Sequence, residues 1–321
     1  MDLELLRERT KIIRAVRSFF DSRDYLETDT PLLAPNLIPE SCLEVFETRR
    51  LPPEGSREAE KPYWLIPSPE IWLKRLIAQH RVNLYQICKC FRNGESIGRL
   101  HSPEFTMLEY YTMKADYLDS LKLTEELFSF LTAETECREL ELPFIRLTVE
   151  EAFRRWAGFD LYKAAEEPDM MEAEARRLGL NPQPGLSVHE LYDLIFIHAV
   201  EPRLKTEKPV ALIDYPAFVP CLAKKGASGK TVERWELYIR GIELANCYSE
   251  EINAEEVRLF FESERAAKEK KSLVCHTVDE NYWKIFSCGD AYSGVAMGLD
   301  RLIMLLCGRK TLDGILPFPM D

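Results

Sequence analysis

The feature that most constrains the fold is the stretch from Phe91 to Tyr111, FRNGESIGRLHSPEFTMLEYY, set between two apolar, strand-like runs. The first run, LYQICKCF, alternates with a period of two; in the second, Glu109 and Tyr111 stand two apart and so share one face of a strand. Two such runs joined by a polar loop read as an antiparallel hairpin. Arg92 follows the first strand directly, Glu95, Arg99 and His101 lie on the loop, and Phe105 re-enters the second strand. A planar guanidinium at a strand end is suited to bidentate contact with phosphate or carboxylate. A phenylalanine ring nearby offers a flat apolar face to a base.

Composition sets the frame for this hairpin. With 321 residues, 46% of them apolar and 30% charged, the chain buries a sizeable core and reads as a globular enzyme. No run approaches ~18 uninterrupted apolar residues, and the N-terminus MDLELLRERTKIIR is charged from its second residue, so neither a membrane span nor a secretory signal is expected. Nine cysteines spread from Cys42 to Cys307 form no disulfide framework and fit a reducing, cytoplasmic setting. Cys88 and Cys90 lack the repeated two-residue gap of a zinc site and read as small buried residues. The net charge of −12 works against non-specific attraction to a nucleic acid backbone.

Along the chain, residues 3 to 20 repeat apolar side chains near 3.6 and predict an amphipathic helix, followed by the β-like YLETDTPLLAP. Residues 49 to 62 read as an exposed loop. SPEIWLKRLIA reads as a helix with Ser68 at its N-cap and Pro69 at its first position. A further helix is expected over 116 to 136, a helical insertion over roughly 141 to 206, and strands in PVALIDYPAF and WELYIRGIELANCY. The last helix is expected from near Gly298 to Cys307, with Gly308 as its stop. GASGKT at 226 to 231 lacks the first glycine of a phosphate loop, since Lys224 stands there, and reads as a plain loop.

The hairpin, read with GVAMGLDR at 294 to 301, resembles motifs 2 and 3 of class II aminoacyl-tRNA synthetases, and GIELANCYSE resembles its counterpart in the lysyl subgroup. The N-terminal helix, strand and proline resemble motif 1, the usual dimer-forming element. The resemblance covers nearly all of the chain and implies an α+β class II catalytic fold, an antiparallel sheet flanked by helices, spanning 1–321 without an anticodon-binding domain. It implies ATP and Mg²⁺ as cofactors, with catalysis by Arg92 and Arg301. Glu95, Arg99, His101, Ser102, Phe105, Glu243, Leu244 and Gly298 then join those arginines around ATP. Glu243 and Glu250 are the implied metal ligands. Ser68, Glu70, Glu109, Tyr111, Asn246, Glu250 and Ala296 surround the amino acid, where carboxylates suit a substrate with two amines.

Without a tRNA-reading module, the resemblance implies the synthetase-like branch that charges elongation factor P with lysine or β-lysine; it disfavours tRNA as acceptor and implies a cytoplasmic homodimer. Ala296 stands where true synthetases carry glycine in GxGxGxxR; its methyl group is expected to crowd an α-amine and favour one on the β-carbon. The chain departs from the pattern at Glu95, four residues after Phe91 rather than three, and at Ser102, where asparagine is usual. A minimal ligase with another acceptor and a silent amino-acid-binding paralogue share these motifs, although retention of both arginine clamps and Glu243 and Glu250 favours catalysis.

Overall fold

In a computed structural model, which describes residues 2–56, 58–135 and 140–318, the chain builds one eight-stranded sheet and one small three-stranded sheet. The first helix, α1 (Leu3–Asp21), is capped by the Asp2 carboxylate, which accepts from the Glu4 and Leu5 N–H groups. Two short strands follow, β1 (Leu26–Glu27) and β2 (Leu33–Ala34), and then β3 (Glu47–Arg50) and β4 (Lys61–Leu65). The ends of the segment expected as an exposed loop are therefore strands of the small sheet, whose order is β2-β4-β3. Helix α2 (Glu70–His80) leads into β5 (Leu84–Phe91) and β6 (Glu104–Met113), the hairpin expected from the sequence.

Helix α3 (Tyr117–Glu134) covers the next expected helix except its end; residue 136 lies outside the described residues. The segment expected as a helical insertion opens instead with a strand, β7 (Ile145–Thr148), and continues through α4 (Val149–Ala152), α5 (Leu161–Ala164), α6 (Pro168–Arg177) and α7 (Val188–Ile195) to β8 (Val210–Pro216). Because β7 and β8 pair in parallel, the helices between them form the crossover that a parallel pair requires. The run WELYIRGIELANCY is two strands, β9 (Thr231–Ile239) and β10 (Ile242–Ser249). Arg240 and Gly241, at φ 54° and 77°, form the tight turn between them, a conformation whose twist suits a two-residue hairpin. The chain ends its described course with α8 (Ala254–Lys271), β11 (Tyr292–Gly298) and α9 (Leu299–Leu306).

The large sheet runs β1-β5-β6-β11-β10-β9-β8-β7; its inner pairings are antiparallel and both edge pairings parallel. Alternation along each strand gives the sheet two unlike faces. On one face Tyr85, Leu108, Tyr110, Trp235, Val295 and Met297 are buried against α1, α3 and α9, which supply Val16, Phe20, Leu121, Phe128, Leu302 and Ile303. That covered face is the main core. The register sets Glu109 opposite Ala296, Tyr111 opposite Gly294 and Asn246 opposite Ala296, so the remaining residues of β6, β11 and β10 line up on the other face. This face carries the candidate site.

Candidate active site

A cleft lies over the open face where β11 passes into α9. Arg92, Glu95, Leu100, His101, Ser102, Phe105, Glu243, Leu244, Asn246, Ala296, Gly298 and Arg301 line it, together with Thr106, Asp300 and Leu312, around an empty volume of about 860 Å³. Eleven of the residues expected at the site thus meet in one cavity, to which β6, β10, β11, α9 and the loop between β5 and β6 each contribute. The Arg92 guanidinium sits 5.3 Å from the Phe105 ring centroid and 3.9 Å from the Glu95 carboxylate. Its Nε is buried without a partner. Arg301 is held by backbone alone: Nε donates to the Leu100 carbonyl at 3.2 Å and Nη1 to the Glu243 carbonyl at 2.8 Å. Among the described residues no carboxylate is hydrogen-bonded to it, which leaves its charge available to an anion. Burial and then Arg301 hold the His101 imidazole below its usual range, so near pH 7 it is neutral until an anion arrives. Arg99 is exposed and outside this lining; the structure uses its carbonyl, which accepts from the Leu312 N–H at 2.9 Å.

Further along the same face is a closed polar cluster. The Glu109 carboxylate accepts from Ser68 Oγ at 2.6 Å and from the Tyr111 hydroxyl at 2.7 Å. Beside it Lys74 Nζ, wholly buried, donates to Glu70 at 2.5 Å and to Glu250 at 2.7 Å. Burial opposes the Lys74 charge, but Glu250 and Glu70 outweigh it and hold its pKa well above the ordinary value. Burial and then Glu70 push the Glu109 carboxyl up to about 8. Burial also raises Glu250, to about 7, against the pull of Lys74. Glu70 and Glu250 share the one ammonium while Glu109 has only hydroxyl donors, an arrangement with room for further positive charge. Gly294 sits against this cluster: a Cβ there would stand 2.5 Å from Glu250 Oε1 and 2.8 Å from Tyr111 Cδ1.

Two expected arrangements differ in detail. Glu243 and Glu250, the pair the resemblance offers to a metal, have different neighbours: Glu243 faces the cleft among Arg301, Arg234 and Arg92, whereas Glu250 is engaged with Lys74. Among the described residues no group of three or more metal-binding side chains comes together. The Glu243 carboxylate on the cleft suits an ion held mainly by phosphate oxygens and water, which is how Mg²⁺ is usually bound at nucleotides. The second change is local. Helix α2 starts at Glu70 rather than Pro69; the Ser68 hydroxyl still accepts from the Glu70 N–H at 3.0 Å while donating to Glu109.

Lys74 was not among the expected site residues. Its position four after Glu70 on one helix face is the signal that would have found it. Asp300 and Thr106 were missed as well, since their roles arise only from packing between distant elements.

The family model for tRNA synthetases class II (D, K and N) matches residues 3–321. The chain belongs to this family. Its class II fold, a largely antiparallel sheet flanked by helices, is the one expected from the motifs. Among its relatives, the elongation factor P (R)-β-lysine ligase of Avibacterium paragallinarum is 34% identical over 99% of this chain and 96% of its own length. The proteins of the same name from Haemophilus influenzae strain PittGG and Proteus mirabilis are also 34% identical, over 100% and 98% of this chain and 96% and 94% of their own. Among the described residues no helix of this class II protein is long and apolar enough to cross a membrane.

Proposed function

We propose that the chain is an ATP-dependent ligase that activates (R)-β-lysine, or lysine, as its adenylate and transfers it to a lysine ε-amine of elongation factor P. The observation that carries this reading is one sheet face that joins an arginine-rich cleft to a carboxylate cluster. The relatives bearing that name at 34% identity support the choice of acceptor. In the first step a carboxylate oxygen of the amino acid attacks the α-phosphorus of ATP and pyrophosphate leaves. Arg92 binds the α-phosphate and the attacking carboxylate, Phe105 stacks on adenine, and Arg301 covers its other face and reaches the γ-phosphate. His101 meets the outer phosphates, and their charge favours its protonated form. Mg²⁺ held at Glu243 would offset the charge of the phosphate oxygens.

The substrate's amines lie against Glu70, Glu109, Tyr111 and Glu250, with Ala296 between this cluster and the nucleotide. In the second step the acceptor amine attacks the adenylate carbonyl, AMP leaves, and a phosphate oxygen of the adenylate takes the amine's proton. The same reading makes the protein a cytoplasmic homodimer through α1 and the strand after it. The deciding experiment is pyrophosphate exchange with (R)-β-lysine and with L-α-lysine, followed by mass spectrometry of elongation factor P incubated with enzyme and ATP. Preference for the β-isomer and added mass on the factor support the ligase. Preference for α-lysine with charging of tRNA points to a synthetase, and exchange with neither overturns the reading.

A further inference from the structure

Thr106 stands where the sheet loses a strand. β11 pairs with β6 as far as Gly298 opposite Met107 and then turns into α9. One residue beyond that pair, the Thr106 N–H donates to the Asp300 carboxylate, reaching Oδ2 at 2.6 Å. The side chain of α9 thus takes over a hydrogen bond that a strand would have made. The other carboxylate oxygen accepts from Arg9 Nη1 at 2.6 Å, and Arg9 Nη2 donates to Thr106 Oγ1 at 3.0 Å. This closed ring of three bonds ties α1, β6 and α9 together. Asp300 is 2% exposed, and the Arg9 side chain 14%.

The sequence neighbours of the two anchored residues are Phe105 and Arg301, the groups read above as the two sides of the adenine site. Asp300 and Thr106 line the cleft; Arg9 does not, and approaches from behind. The geometry points to Arg9 as a positioning residue for the nucleotide: through Asp300 and Thr106 it sets the spacing between the Phe105 ring and the Arg301 guanidinium. It also neutralises a carboxylate on the wall of a cleft that receives a polyanion. An unpaired Asp300 would both repel the phosphates and seek another partner, and Arg301 is the adjacent cation. This inference rests on the reading of the cleft as the ATP site.

The test measures pyrophosphate exchange by the full chain and its variants Arg9→Gln, Arg9→Lys and Arg301→Ala, with KM for ATP and for the amino acid taken separately and melting temperature recorded. A hydrogen bond to a charged group is worth about 1.5–3 kcal/mol, so Arg9→Gln is expected to raise KM for ATP about 10- to 100-fold while KM for the amino acid stays within about twofold. Arg9→Lys keeps the charge but offers a single donor nitrogen in place of the two-nitrogen fork, and is expected to recover part of that loss. If Arg9→Gln does not fold, Arg9→Lys alone decides, by a severalfold rise in KM for ATP at an unchanged melting temperature. An unchanged KM for ATP, or equal rises for both substrates, overturns the positioning role. Should Arg301→Ala leave KM for ATP untouched, the reading of the cleft fails instead; should it raise KM for ATP while the Arg9 variants do not, only the role of Arg9 fails.

Discussion

The cleft and the Lys74 cluster occupy one face of one sheet, yet they are finished to different degrees. In the cleft, Arg92 keeps a buried Nε without a partner, and Arg301 is held by carbonyl oxygens rather than by an acid. In the cluster, Lys74, Ser68 and Tyr111 already satisfy Glu70, Glu109 and Glu250. The difference follows from the ligand each part suits. A polyphosphate brings its own compensating charge, so the protein can leave cations open to solvent. A small diamine buried among carboxylates brings too little to hold three acids apart by itself, and a resident ammonium keeps them in place before it arrives.

This contrast can be broken most severely from the open side. Arg301→Ala is expected to reduce pyrophosphate exchange by roughly 10²- to 10³-fold, the usual loss on removing one preorganised charge donor, with little change in melting temperature. Lys74→Met should do the opposite. Leaving Glu70 and Glu250 uncompensated in a buried site costs about 3–5 kcal/mol, visible as a lower melting temperature and urea midpoint. An unchanged midpoint would mean that the cluster is not held by this ion pair. Gly294→Ala is expected to weaken amino acid binding at least tenfold while KM for ATP holds, because the added methyl group enters the Tyr111 and Glu250 contact rather than the cleft.

A pH series sharpens the comparison further. The native Glu109 carboxyl titrates at about 8 against an ordinary value of 4.5, so between those values the folded chain keeps a proton that the unfolded chain has released. Its contribution to stability therefore declines as pH rises through that window. An ammonium prefers the ionised carboxylate, so affinity for the amino acid should rise by up to about tenfold per pH unit from pH 6 to 8. Glu109→Gln should flatten that profile of KM. The smallest effect is expected from Ala296→Gly: removing one methyl group should shift the ratio of α- to β-lysine activation by roughly 10-fold towards the α-isomer, read by competitive exchange.

Local pattern carried much of this molecule. The alternation of LYQICKCF and the spacing of Arg92, His101 and Phe105 anticipated β5, β6 and the cleft, and the helical period of residues 3 to 20 anticipated α1. What escaped is non-local or depends on one competing term. IRLT is too short to mark a strand by itself and becomes β7 only because β8 offers an edge. The sequence does not show that Lys74, supplied by another element, donates to Glu250. Arg9, Asp300 and Thr106 lie nearly three hundred residues apart at their extremes, and no window along the chain contains their bond network.

The strand order has a consequence for how the protein is made. β11 lies between β6 and β10, near the middle of the sheet, although it is later in the chain than every other strand. During synthesis β1-β5-β6 and β10-β9-β8-β7 can each pair, but their facing edges stay open until residues 292–298 leave the ribosome. Those edges are long and apolar on one side, the kind that recruits foreign strands. A ribosome paused before β11 would therefore hold two half-sheets without a nucleotide site, and quality control by chaperones would matter most in that interval.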